Sequence, residues 1–245
     1  MTMPACLRPG LYDAAIVDLD GTLVDTLGDF VAALQLMLDD VLPRQATGAG
    51  LDAARVGPMV GKGSEHLVRS VLSHVLAPSG RAAAAEAVEA AALYDRAQTS
   101  YQRHYAAVNG QHSMLYPGVL EGLGHLQQSG LALVCLTNKP LAFARSLLKH
   151  KGLDGFFCEV FGGDSFERKK PDPLPLLKAC EFLGTRPART LMIGDSSNDA
   201  RAARAAGCPV LLVTYGYNHG EPVRAVDADG FVDSLAELHW LLPAG

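Results

Sequence analysis

The chain has 245 residues, of which 49% are hydrophobic and 19% charged, enough apolar matter for a sizeable core and too much for a disordered chain. Lys and Arg total 21 against 26 Asp and Glu, a formal charge of −5. That balance argues against general affinity for nucleic acid or an anionic membrane, both of which need clustered positive charge, but not against an anionic substrate whose field a metal ion reverses locally.

The five cysteines (Cys6, Cys135, Cys158, Cys180 and Cys208) are scattered and form no C-x-x-C, so they read as small buried hydrophobes in a reducing compartment. The first ten residues lack the basic patch and apolar run of a signal peptide, and no apolar stretch approaches the ~20 residues of a membrane helix, which predicts a cytoplasmic protein. No coiled-coil heptads specify an oligomeric state.

Short, continuously apolar runs predict buried strands over 14–19, 131–136, 158–161, 190–193, 210–213 and 230–232. Continuous rather than alternating apolar character suits a parallel sheet covered on both faces. Amphipathic stripes lie between these runs: Val119, Leu123 and Leu126; Leu141, Ala144, Leu147 and Leu148; Leu176, Leu177, Cys180 and Leu183. From about residue 113 onward the alternation of strand and helix reads as a doubly wound α/β sheet.

The first strand departs from that rhythm, because more than a hundred residues pass before the next. Phe30, Leu34, Met37, Leu38 and Val41 share one helical face, Val60–Ser64 interrupts, and Leu67, Val71, Leu72 and Val75 resume. An alanine-rich tract from Arg81 to about Ala107 follows, suited to helix because alanine has no side-chain entropy to lose. The expected organisation is residues 1–26 as the first strand of a core, 27–112 as an all-helical insertion, and 113–245 as the rest of the core.

Acidic residues collect at the predicted strand ends. Asp18-Leu-Asp-Gly-Thr22 follows the first strand, where Asp18 and Asp20 can project to the same side. Two such carboxylates are costly to desolvate unless a cation lies between them or one holds a proton; the competing reading is a surface turn, since Asp-Gly is a common turn dipeptide. Thr190–Asp199 repeats the pattern of strand, glycine and acid. Ser196 and Asp199 also fit a capping box for the next helix, which accounts for Asp199 and leaves Asp195 without a structural role. Three acids at two strand tips form an oxygen-rich site suited to Mg²⁺. Thr137 and Asn138 end another strand at a helix N-terminus, where backbone N–H groups attract phosphate or are simply capped. Arg168-Lys-Lys-Pro-Asp-Pro173 leads into a further helix, with prolines able to hold one lysine inward, although adjacent lysines are more often solvated.

Asp-x-Asp-Gly-Thr, the strand-end Thr137, Lys170-Pro and Gly194-Asp-Ser-Ser-Asn-Asp199, in this order, resemble the four motifs of the haloacid dehalogenase superfamily. The resemblance spans nearly the whole chain and implies a Rossmann-like parallel sheet core with an inserted all-helical cap. More narrowly, Lys169-Lys-Pro, the Gly194–Asp199 segment and Thr214-Tyr-Gly-Tyr-Asn218 are similar to bacterial phosphoglycolate phosphatases. By position, the resemblance implies that Asp18 attacks phosphorus and becomes an aspartyl phosphate. Asp20 protonates the leaving alkoxide and then activates water, a role that requires it to hold a proton in the first half-reaction. Mg²⁺ is held by the Asp18 carboxylate, the Asp20 backbone carbonyl and Asp195, with Asp199 behind them or bound through water. Thr137 and Asn138 hold the transferring phosphoryl group, and Lys170 neutralises charge on it and on Asp18.

The implied activity is hydrolysis of a small phosphorylated metabolite, 2-phosphoglycolate in the first instance, with neither nucleic acid nor membrane as partner. Another sugar or acid phosphatase, or a phosphomutase, shares the scaffold; a dehalogenase does not require the acid that Asp20 supplies. A non-catalytic module binding phosphorylated proteins predicts loss of the nucleophile or acid, and both are present. Lys62, in the Gly61-Lys-Gly63 break, either meets a substrate carboxylate or is a solvated turn. The histidines show no close metal-binding spacing. Tyr215, Tyr217 and Asn218 read as a loop beside the site, and Trp240 as packing with Leu235, Leu238 and Leu241.

Overall fold

The computed structural model describes residues 10–42, 50–77 and 83–241. Cys6 and Arg81 lie outside them. The chain forms two compact units: the described residues up to Asp25 with those from Met114 onward, and those within Thr26–Ser113.

The first unit is built on six parallel strands, β1 (Ala14–Val17), β4 (Ala132–Leu136), β5 (Glu159–Phe161), β6 (Thr190–Gly194), β7 (Val210–Val213) and β8 (Gly230–Val232). Their order is β5-β4-β1-β6-β7-β8, so β1 is central, in register with Ala132–Cys135 on one side and Thr190–Ile193 on the other. All four β1 side chains are buried, which explains their unbroken apolar character.

Alternate strand residues feed two cores. Ala15, Val17, Leu133, Cys135, Leu191 and Ile193 pack with α5 (Val119–Gln128) and α6 (Leu141–His150). Ile16, Val134, Leu136, Met192, Val210 and Leu212 pack with α7 (Leu174–Leu183) and α8 (Ser197–Ala206). In α7 the buried stripe is Leu176, Ala179 and Cys180, whereas Leu177 is exposed: it follows Leu176 by one position, about 100° round the helix. Trp240 packs on the first core beside Leu235, Leu238 and Leu241, which lie in 3-10 turns. A short antiparallel pair, β2 (Val24–Asp25) with β3 (Met114–Leu115), completes this unit; two residues per strand are too few for a readable period.

The second unit is helical throughout its described residues. The α1 stripe (Leu27–Val41) buries Phe30, Ala33, Leu34, Met37, Leu38 and Val41, spaced by three and four. It packs on α4 (Ala83–Val108), where Phe30 stacks on Tyr105 at 5.5 Å between centroids. Between them lie α2 (Ala53–Val56) and α3 (Ser64–Leu76), the latter burying Leu67, Val68, Val71, Leu72 and Leu76. Lys62 is exposed in the turn before α3. Buried Asp29 of α1 accepts the Gly110 and His112 N–H groups at 2.8 and 2.7 Å, closing the end of α4. Among the described residues no helix is long and apolar enough to cross a membrane.

Candidate active site

From β1 the chain later fills β4 and β5 on one side, then β6 to β8 on the other, and the strand order reverses at β1. Crevices at the carboxyl ends of strands flanking such a reversal are where open α/β sheets bind ligands. Asp18 follows β1, Thr137 follows β4 and Asp195 follows β6, so all three occupy that edge. Asp18 N–H donates to the Ile193 carbonyl at 2.9 Å, tying the ends of β1 and β6 together.

Carboxylate oxygens of Asp18, Asp195 and Asp199 lie within 4.8 Å of one another, all buried. Lys170 Nζ stands against this group, 3.0 Å from Asp18 Oδ1 and 2.7 Å from Asp199 Oδ1, and also donates to the Leu136 carbonyl at 3.0 Å. Burial pushes the Asp18 carboxyl up to about 7; the Lys170 ammonium opposes that rise and Asp199 adds to it. Asp195 is raised well above the usual carboxylate range, first by burial and then by Asp199 and Asp18. Burial opposes the charge on Lys170, but Asp18 and Asp199 together hold its pKa above the ordinary lysine value.

Three buried carboxylates thus face one ammonium, a deficit of two positive charges. Asp18 Oδ1, although paired with Lys170, makes no hydrogen bond of good geometry. An all-oxygen donor set with that deficit fits a small, hard divalent cation, which would offset the mutual repulsion of the three carboxylates. Asp195 is the most closely walled. A Cβ on Gly21 would lie 2.2 Å from its Oδ2, and one on Gly216 would lie 2.2 Å from its Cβ, so only glycine permits the two loops to approach.

Asp199 serves protein donors with both oxygens. Oδ2 accepts the Asp195 and Ser196 N–H groups and the Ser196 hydroxyl, while Oδ1 takes Lys170. It forms the capping box with Ser196 and also joins the carboxylate cluster, so the two sequence readings of Asp199 coexist.

Asp20 is placed differently from its neighbours. Its carboxylate lies against Lys139 Nζ, 2.7 Å from Oδ1 and 2.9 Å from Oδ2, outside the carboxylate cluster. In the sequence Lys139 directly follows Thr137 and Asn138, and the motifs assign it no part. The signal was its position one residue beyond the phosphate-binding candidates, but nothing in the sequence said that its side chain turns inward. Of the two adjacent lysines, Lys170 is buried and Lys169 half-buried. Thr137 is buried, its hydroxyl accepting the Lys139 N–H at 3.2 Å. The Asn138 side-chain amide donates to the Lys170 carbonyl at 2.8 Å, so the loop after β4 holds the loop that carries the lysine.

The arrangement presents a buried carboxylate cluster that fits a cation, a fixed ammonium and a further carboxylate on its own lysine, a set suited to anion-on-anion chemistry at phosphorus. Comparison with known proteins agrees. A phosphoglycolate phosphatase of Thiobacillus denitrificans is 42% identical over 227 residues, 91% of this chain and 92% of the relative. One of Nitrosospira multiformis is 41% identical over 229 residues, 94% and 95% of the two chains. The crystal structure of a predicted phosphoglycolate phosphatase from Haemophilus somnus superposes with a TM-score of 0.82 at 29% identity, covering 93% of this chain and 96% of that one. The family model for haloacid dehalogenase-like hydrolases matches residues 12–207. The chain belongs to the haloacid dehalogenase-like hydrolases, and within them it resembles the phosphoglycolate phosphatases.

Proposed function

We propose that this phosphatase hydrolyses 2-phosphoglycolate to glycolate and phosphate, with Mg²⁺ as cofactor and Asp18 as the residue that is transiently phosphorylated. The observation that carries the reading is the buried carboxylate cluster of Asp18, Asp195 and Asp199 around Lys170. Mg²⁺, held by the Asp18 and Asp195 carboxylates and the Asp20 backbone carbonyl, supplies positive charge that offsets repulsion between a carboxylate and a phosphate dianion.

In the first half-reaction an Asp18 oxygen forms a bond to phosphorus, the ester P–O bond breaks, and a proton carried by Asp20 goes to the leaving alkoxide. In the second, Asp20 takes a proton from water, the water oxygen attacks phosphorus, and the P–O bond to Asp18 breaks. Lys170 balances charge on Asp18 and on the phosphoryl group throughout. Thr137 and Asn138 bind the equatorial oxygens, Asn138 from a loop already fixed to Lys170. Substrate choice belongs in this reading to the helical unit as a cap, with Lys62 as the residue for an acidic ester. The four cysteines among the described residues are unbridged, which supports a reducing, cytoplasmic setting.

The test is kcat/KM over a panel of small phosphate esters, with and without chelator. Preference for 2-phosphoglycolate, activity abolished by chelation and restored by Mg²⁺, and loss of turnover in Asp18→Asn are expected. Preference for a sugar phosphate, or isomerisation in place of phosphate release, overturns the substrate assignment. Activity in Asp18→Asn overturns the mechanism. Lys62→Ala is expected to raise KM for an acidic ester more than for a neutral one; equal effects remove Lys62 from the reading.

A further inference from the structure

The loop after β7 does more than border the site. Tyr217 N–H donates to Asp195 Oδ2 at 2.7 Å, on the same carboxylate that Gly21 and Gly216 wall in. That contact is made by backbone, so its aim depends on what fixes the backbone of residue 217. The next residue, Asn218, is buried and has a positive φ of 29°, followed by His219 at 54°. Left-handed conformation is unfavourable for residues other than glycine, and asparagine is among the few that tolerate it. The Asn218 side chain holds it there at both ends: Oδ1 accepts the Ser197 N–H at 2.8 Å and Nδ2 donates to the Glu221 carbonyl at 2.8 Å. Ser197 opens α8, the helix whose first turn also carries Asp199. Asn218 therefore pins the loop after β7 to the segment after β6, which carries Asp195. From the other flank, the Tyr217 hydroxyl donates to Asp25 Oδ1 at 3.0 Å.

We propose that Asn218 is a positioning residue for the cation site: it fixes the Tyr217 backbone so that its N–H holds Asp195 in the orientation that a divalent cation requires. The inference rests on the metal-dependent reading above. Groups behind a metal ligand commonly set its orientation, and their loss typically weakens metal affinity ~10–100-fold.

The experiment is calorimetric titration of the full-length protein with Mg²⁺ alone, with no ester present. Asn218→Ala removes both side-chain anchors and is expected to bind Mg²⁺ at least ~10-fold more weakly. Asn218→Asp retains an oxygen for the Ser197 N–H and is expected to stay within about threefold of the parent, on the same scale. In parallel, the Mg²⁺ concentration for half-maximal activity rises in Asn218→Ala while KM at saturating Mg²⁺ is unchanged. An affinity for Asn218→Ala within twofold of the parent, or an equal loss in Asn218→Asp, overturns the proposal. A parent protein that fails to bind Mg²⁺ overturns the metal reading itself, which separates the two failures. If circular dichroism shows Asn218→Ala unfolded, Asn218→Gly takes its place, because glycine suits the positive φ of that position and loses both side-chain anchors. A loss of affinity there supports the proposal, and none overturns it.

Discussion

Lys139 Nζ lies 2.7 and 2.9 Å from the two carboxylate oxygens of Asp20, a pair whose lysine side chain is almost fully buried. The contact sets Asp20 apart from Asp18, two residues earlier, whose ammonium partner is Lys170. Two neighbouring carboxylates with separate cations can carry separate tasks, one as attacking oxygen and one as proton carrier.

Truncating Lys139 leaves the Asp20 carboxylate without that partner. Breaking a buried ion pair from one side is costly, so Lys139→Met is expected to lower stability by about 3 kcal/mol in urea unfolding. On the proposed role of Asp20 as proton carrier, it should also lower kcat by roughly 10–100-fold. The double variant Lys139→Met/Asp20→Leu should recover most of the stability and none of the turnover. If the double variant is as unstable as the single one, Lys139 contributes by packing and not by pairing.

Asp199→Asn tests the link between capping and charge. The wild-type oxygens accept two backbone N–H groups, the Ser196 hydroxyl and Lys170, and an amide brings an NH₂ against one of those donor sets. A loss of about 2 kcal/mol follows from leaving buried donors unsatisfied. The urea midpoint should fall accordingly; an unchanged midpoint means that the donors are satisfied another way.

The legible parts of this chain were those encoded by local patterns. The strands around β1, the stripes of α1 and α5, and the Ser196–Asp199 capping box follow from runs and spacings within a few residues. The acids at strand ends were legible for the same reason, since each follows its strand directly. What stayed hidden depends on pairs far apart in sequence. Nothing local to Lys139 says that Asp20 is its partner, and nothing near Asp29 says that it closes the end of α4, eighty residues on. The exposed Leu177 in α7 shows the reverse case, an apolar residue whose one-position offset turns it away from a core that its neighbours fill.

Asp29 yields a stability prediction for the helical unit. Its two oxygens satisfy the N–H groups of Gly110 and His112, and Asp29→Ala leaves both without that acceptor. At ~1–3 kcal/mol for a buried unsatisfied group, a loss of about 3 kcal/mol is expected. Gly28→Ala acts on the same junction by crowding, because its Cβ would lie 2.3 Å from the His112 carbonyl oxygen, a backbone atom with little room to yield. A destabilisation of about 2 kcal/mol is expected there, typical of overpacking. Urea midpoints equal to the parent's in both variants would show that this junction adjusts freely.

A final prediction concerns acid. Asp40 of α1 meets α4 through the Ser100 hydroxyl, His104 Nε2 at 2.8 Å and Arg103 Nη2 at 2.6 Å. The Ser100 hydrogen bond, then that of His104, with the Arg103 charge adding to them, hold its carboxyl below the ordinary range against the opposing effect of burial. A carboxyl with a lowered folded pKa binds its proton more readily in the unfolded chain, so stability from this group is present above the ordinary value near 4. That stability is lost as pH falls from there through the folded value. Asp40→Asn removes the titration, so the parent should exceed the variant in urea midpoint at pH 6. The gap should narrow on acidification from pH 5 toward pH 3, and a gap that is constant over that range would mean that the Asp40 contacts add no charge-dependent stability.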